Sequence, residues 1–108
     1  MSDTLSRLEA TIRARREAGD ASASHTARLL ARGPEKCAEK FGEEAVEAII
    51  EAVKGDREKL TSEAADVLYH LMVMLAARGV ALADVMAVLD AREGRSGLDE
   101  KASRKTGA

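Results

Sequence analysis

Along this chain apolar residues return at helical spacing, and small or cap-forming residues interrupt them at well-defined places. Leu5, Leu8 and Ile12 recur every three or four positions with charge between them, which predicts a first amphipathic helix from about Thr4 to Glu17. The stretch from Gly19 to Ser24 is small and polar and reads as a loop. Ser24 is placed to cap a short second helix, His25 to Arg32, that buries Leu29 and Leu30. Gly33 ends it and Pro34 opens a third helix running to about Lys54, because glycine favours the position just past a helix end and proline the first turn. Asp56 caps a fourth helix, which continues to about Arg78 before Gly79 stops it. A fifth begins near Ala83, with Leu82, Val85, Met86 and Leu89 apolar, and ends between Arg92 and Gly94. No stretch alternates as a strand would. The expected fold is all-α: about five helices, with the third and fourth forming a central antiparallel hairpin in a bundle.

The faces of the hairpin helices carry more information than their lengths. On the third helix Ala38, Phe41, Ala45, Ala48, Ile49 and Ala52 form one apolar stripe, and Val46, Ile50 and Val53 a second. Between them runs a polar strip of Lys40, Glu44, Glu47 and Glu51. The fourth helix is apolar nearly all round, through Leu60, Ala64, Leu68, Leu71, Met72, Met74 and Leu75, which predicts a core helix. Its narrow polar strip holds Lys59, Glu63, Asp66 and His70. This is more apolar surface than five helices of one small chain readily cover. A homodimer is therefore expected, with Val46, Ile50 or Val53 at or near its interface.

If Gly55 sits at the middle of the hairpin turn, the two polar strips face each other in register. Glu47 and Glu63 lie eight residues to either side of it, and Glu44 and Asp66 eleven. By the same measure His70 falls level with Lys40, and Lys59 with Glu51. One Glu-x-x-Glu pair on so charged a chain is ordinary solvated surface. Two level pairs hemmed by apolar stripes are different, because partly desolvated carboxylates repel unless a cation lies among them. A hard divalent metal such as magnesium, which takes oxygen ligands and keeps waters, suits such a set. The Glu-x-x-His spacing of di-iron bundles is absent. His70 is expected behind the acids, hydrogen-bonded, rather than on a hard metal.

Composition narrows the partners. The 108 residues make one domain over 1–94, and apolar residues almost vanish from Arg95 onward, so 95–108 is expected to be a mobile tail. Charged residues are 33% of the chain but the net charge is only −2, and aromatics are 2%, which argues against nucleic-acid binding. The single cysteine, Cys37, reads as a small core residue. No signal-peptide core opens the chain, and Val67 to Ala77 is interrupted by Tyr69 and His70, so neither export nor a membrane span is expected. A reducing cytoplasm fits best.

The stretch Lys36-Cys-Ala-Glu-Lys-Phe-Gly-Glu-Glu-Ala-Val-Glu47, followed by Glu63-Ala-Ala-Asp-Val-Leu-Tyr-His70, resembles the phosphoribosyl-ATP pyrophosphohydrolases of histidine biosynthesis. These belong to the all-α MazG-type nucleoside triphosphate pyrophosphohydrolases, whose pattern Glu-Glu-x-x-Glu then Glu-x-x-Asp is matched by Glu43, Glu44, Glu47, Glu63 and Asp66. Ser24-His-Thr-Ala-Arg-Leu-Leu30 is similar to a segment peculiar to the histidine enzymes, with His25 where that family usually has Tyr. The resemblance spans about Leu5 to Arg92. It implies cleavage of the α–β phosphoanhydride of phosphoribosyl-ATP, with Mg²⁺ (Mn²⁺ as a substitute), a homodimer, and functional association with a phosphoribosyl-AMP cyclohydrolase. Carried onto this sequence, it makes Glu44, Glu47, Glu63 and Asp66 the metal ligands and Glu43 the candidate to activate water or to support the ligands from behind. Thr26, Arg28, Lys36 and Lys40 become candidates for substrate contacts. Two rival readings share the acids: a housekeeping pyrophosphohydrolase of noncanonical nucleotides, and a non-enzymatic helical dimer.

Overall fold

A computed structural model describes residues 3–93, and the expected tail, 95–108, lies outside them. Five helices follow in order: α1 (Thr4–Ala18), α2 (His25–Arg32), α3 (Pro34–Lys54), α4 (Arg57–Ala77) and α5 (Leu82–Arg92). No strand occurs among the described residues. The punctuation read from the sequence is what sets the boundaries. The Ser24 hydroxyl accepts the Ala27 N–H at 3.1 Å, and the Asp56 carboxylate accepts the Lys59 N–H at 3.0 Å, so α2 and α4 each start on a side-chain cap. Gly55, at φ 80°, closes α3 in the left-handed conformation and sends its N–H back to the carbonyls of Glu51 and Ala52.

α3 and α4 pair along their length as the antiparallel hairpin, and α1 and α2 lie against the end remote from Gly55. The buried core sits there: Ile12 of α1, Leu29 of α2, Cys37 of α3, and Met72 and Val73 of α4. Leu8, Leu30, Tyr69, Met74, Leu75 and Leu82 pack around it. Cys37 donates its S–H to the Leu29 carbonyl at 3.4 Å, and burial raises its thiol pKa, so it behaves as the core residue expected.

The apolar faces of α3 and α4 exceed what the described residues of one chain cover, as their extent led us to expect. Cys37 is the only buried residue of α3, and His70, Met72 and Val73 those of α4. Val53 is 83% exposed, Ile49 60%, Val46 55%, Ile50 47% and Leu68 43%. The physical reason is reach. α1 and α2 cover one end of the hairpin, and the half nearer Gly55 has no third helix to pack on. The membrane criterion needs correcting: α4, at 21 residues, is by length and composition long and apolar enough to span. It carries Glu63 and Asp66, however, and intramembrane carboxylates are costly.

α5 has no buried residue and is tied to the body at its start. The Glu9 carboxylate of α1 accepts the Leu82 N–H at 2.7 Å, capping α5 from the other end of the chain. Arg16 of α1 donates to the Ala76 carbonyl in the last turn of α4. Between these two clasps lies a cleft of about 150 Å³, floored by Ile12, Met72, Leu75 and Leu82. It contains none of the acids of the hairpin.

Candidate functional site

The hairpin register brings the acids together as their spacing predicts. Carboxylate oxygens of Glu44 from α3 and of Glu63 and Asp66 from α4 all lie within 4.8 Å of one another. The charge of Glu47 also acts on Glu63, although Glu47 stands outside that tightest group. Residues three apart share a helix face, and two such faces meet here.

Glu63 is the electrostatic centre. Burial raises its pKa above the ordinary carboxylate range, and the charges of Glu47, Glu44 and Asp66 push the same way. Its Oε1 is buried and has no hydrogen-bond partner. A desolvated carboxylate oxygen, unpartnered and facing other carboxylates, fits a divalent cation with oxygen ligands, which would supply the missing counter-charge. Farther toward the turn Glu51 also has a buried oxygen without a hydrogen bond, with Lys54 as ion partner at 3.8 Å.

His70 lies on the same strip and is buried, with its Nδ1 unpartnered. Burial depresses its pKa, partly offset by Glu44 and Asp66, while Lys40 and His25 reinforce the depression. The ring lies within electrostatic reach of two of the clustered acids, but the hydrogen bond expected of it is not made at Nδ1.

The remaining expected residues are arranged less directly. Glu43 is half exposed and paired with Lys40 at 3.2 Å, so it lies at the rim rather than in the three-acid group. Lys40, whose pKa that hydrogen bond raises, also feels the charge of Glu44. Lys36 pairs with Glu39 at 2.8 Å. Arg28 is exposed, with its Nε donating to the Ala21 carbonyl at 3.3 Å. Thr26 is buried, and its hydroxyl lies 2.5 Å from the hydroxyl of Tyr69. Tyr69 also meets His70 edge-on at 4.9 Å and faces the ring of His25 at 6.5 Å.

Tyr69 is the site residue that the sequence reading passed over. A signal was present: it is the only tyrosine in a chain with 2% aromatics and directly precedes His70. A buried phenol seeks a partner for its hydroxyl. The partner stands 43 residues away, which periodicity does not reveal.

The phosphoribosyl-ATP pyrophosphohydrolase family matches residues 5–93. A phosphoribosyl-ATP pyrophosphatase of Dinoroseobacter shibae is 78% identical over 100 residues, covering 93% of this chain and 97% of that protein. Its namesake in Paracoccus denitrificans is 74% identical over 101 residues, covering 94% of this chain and 93% of the relative. The one in Jannaschia sp. is 70% identical over 100 residues, with 93% and 97% covered.

Proposed function

The chain belongs to the phosphoribosyl-ATP pyrophosphohydrolase family, and on that footing we propose that it hydrolyses phosphoribosyl-ATP to phosphoribosyl-AMP and pyrophosphate, an early step of L-histidine biosynthesis. The observation that carries the chemistry is the meeting of the Glu44, Glu63 and Asp66 carboxylates within 4.8 Å, Glu63 having a buried oxygen with no hydrogen-bond partner.

Glu44, Glu63 and Asp66, with Glu47 beside them, are the residues that would hold Mg²⁺. When bound, the ion offsets phosphate charge and makes a water more acidic. The chain's own groups do the rest. Water adds to the α-phosphorus as the α–β bridging P–O bond breaks, and pyrophosphate departs with the bridging oxygen. Glu43, an exposed carboxylate at the rim, takes the proton of the attacking water. Lys40, ion-paired with it at 3.2 Å, holds this carboxylate at the rim. Arg28 and Lys36 offer cations to the phosphate chain, and their present partners, a backbone carbonyl and a surface glutamate, are readily exchanged. Neutral, buried His70 backs Glu44 and Asp66 without adding positive charge.

A carboxylate-held metal grips phosphate oxygens whatever base they carry. Selectivity for the phosphoribosyl group is therefore assigned to the Ser24–Leu30 segment, whose Thr26 bonds Tyr69 of the hairpin and whose Arg28 is exposed. The enzyme works as a homodimer in the cytoplasm in this reading. Exposed Val46, Ile49, Ile50 and Val53 favour the dimer, and a single buried free thiol is at home in a reducing compartment.

The test is to incubate phosphoribosyl-ATP, ATP and the deoxynucleoside triphosphates separately with protein and magnesium, and to resolve pyrophosphate from orthophosphate. Pyrophosphate released far faster from phosphoribosyl-ATP is the expected result. Orthophosphate as direct product would mean β–γ cleavage, and equal rates on deoxynucleotides would make the chain a housekeeping pyrophosphohydrolase.

A further inference from the structure

α2 is a single short helix of eight residues, too short to hold its place by its own hydrogen bonds. What fixes it is tertiary contact. Leu29 enters the core, the Leu29 carbonyl receives the Cys37 thiol, and at the other end the Thr26 hydroxyl meets the Tyr69 hydroxyl at 2.5 Å. The first two contacts anchor the C-terminal half. The third anchors the first turn, where Thr26 is 9% exposed and Arg28 lies two residues on.

Tyr69 occupies a particular place on α4. It is three residues from Asp66 and adjoins His70, whose ring it touches edge-on at 4.9 Å. Its other side faces the ring of His25, at 6.5 Å and 21° between planes. One phenol thus stands between the acid-bearing helix and the start of α2, bonded to the latter and packed on the former.

We propose that Tyr69 is a positioning residue: its hydroxyl bond to Thr26 locks the first turn of α2 at a fixed distance from the hairpin carboxylates, and so sets how tightly the phosphoribosyl end of the substrate is held. The proposal rests on the assignment of Ser24–Leu30 to substrate selection. Tyr69 touches no reacting atom in this scheme. It acts through the placement of Arg28 and His25, and the bond that breaks is governed by the hairpin acids, which keep their register when the hydroxyl is removed.

The test uses the full chain with magnesium, and compares Tyr69→Phe, Thr26→Val and the double variant on phosphoribosyl-ATP and on ATP. Loss of one neutral hydrogen bond should raise KM for phosphoribosyl-ATP about tenfold in Tyr69→Phe, with kcat changed less than about twofold. KM for ATP, which lacks the phosphoribosyl group, should move by less than about twofold. Thr26→Val should raise KM for phosphoribosyl-ATP at least as much as Tyr69→Phe, and the double variant should be no worse than Thr26→Val alone, because the bond is already gone. Equal losses on both substrates, a loss in kcat alone, or additive effects in the double variant would overturn the proposal. Hydrogen exchange gives a readout independent of the reaction. The α2 amides should exchange faster in Tyr69→Phe while α3 and α4 keep their protection, and unchanged protection of α2 would overturn the latch. A wild-type protein that does not prefer phosphoribosyl-ATP would refute the substrate assignment, and exchange would still decide the latch.

Discussion

At Glu63, burial and the neighbouring carboxylates act in one direction, each favouring the protonated acid. A folded-state pKa raised above the ordinary 4.5 means that the folded form binds this proton more tightly than the unfolded chain. The associated stability is fully present below the unfolded value and is lost as pH rises through the folded one. Metal-free protein should therefore lose stability on this account above pH ~4.5. Comparison of melting midpoints between wild type and Glu63→Gln isolates the effect, since titrations elsewhere, His70 included, are common to both. The glutamine variant should be the more stable at neutral pH without metal. Magnesium should reverse the order: at a hundredfold excess over its dissociation constant it adds about 2.7 kcal/mol to a protein that binds it only when folded. The same addition should do little for Glu63→Gln or Asp66→Asn, and both should lose magnesium-dependent turnover. Equal stabilisation of all three proteins by magnesium would remove these carboxylates from the metal site.

The hairpin shows what is legible at the scale of an element. Ser24, the Gly33-Pro34 step and the Gly55-Asp56 step mark the ends of α2, α3 and α4 to within a residue, because caps and backbone breaks are local chemistry. The register of the acids was legible for the same reason: a glycine-centred turn fixes which residues are level. Burial was legible only in part. The stripes showed more apolar surface than one chain covers, and Val46, Ile50 and Val53 do lie uncovered among the described residues, but the stripes did not show that Cys37 alone of α3 would be buried. The Thr26–Tyr69 bond and the rim position of Glu43 were also hidden, since each depends on how two helices rotate against one another. Gly55 allows a direct test of the turn. Its φ of 80° is strained for any residue with a side chain, while a Cβ there would meet no atom within 4 Å. Gly55→Ala should thus cost about 1 kcal/mol in denaturant unfolding from backbone strain alone, with turnover preserved because the acids stay level. A loss of activity at unchanged stability would mean that the turn does more than set register.

For the whole molecule, the uncovered half of the hairpin is the dominant feature. Val46, Ile49, Ile50, Val53 and Leu68 present apolar side chains that the described residues leave uncovered. Sedimentation at micromolar concentration should show a dimer, and Ile50→Asp should shift it to monomer by placing a charge in that face. A compact wild-type monomer would refute the assignment of this face to a second copy. The clasps on α1 bear on a different matter, the order in which the molecule can assemble. Arg16 and Glu9 are made early in synthesis, yet their partners Ala76 and Leu82 lie 60 and 73 residues downstream. The α3–α4 hairpin closes through contacts near in sequence and has no such delay. The first helix to leave the ribosome is therefore the last to be fastened, and until α5 emerges the amino-terminal end waits, half docked, for the residues that will hold it.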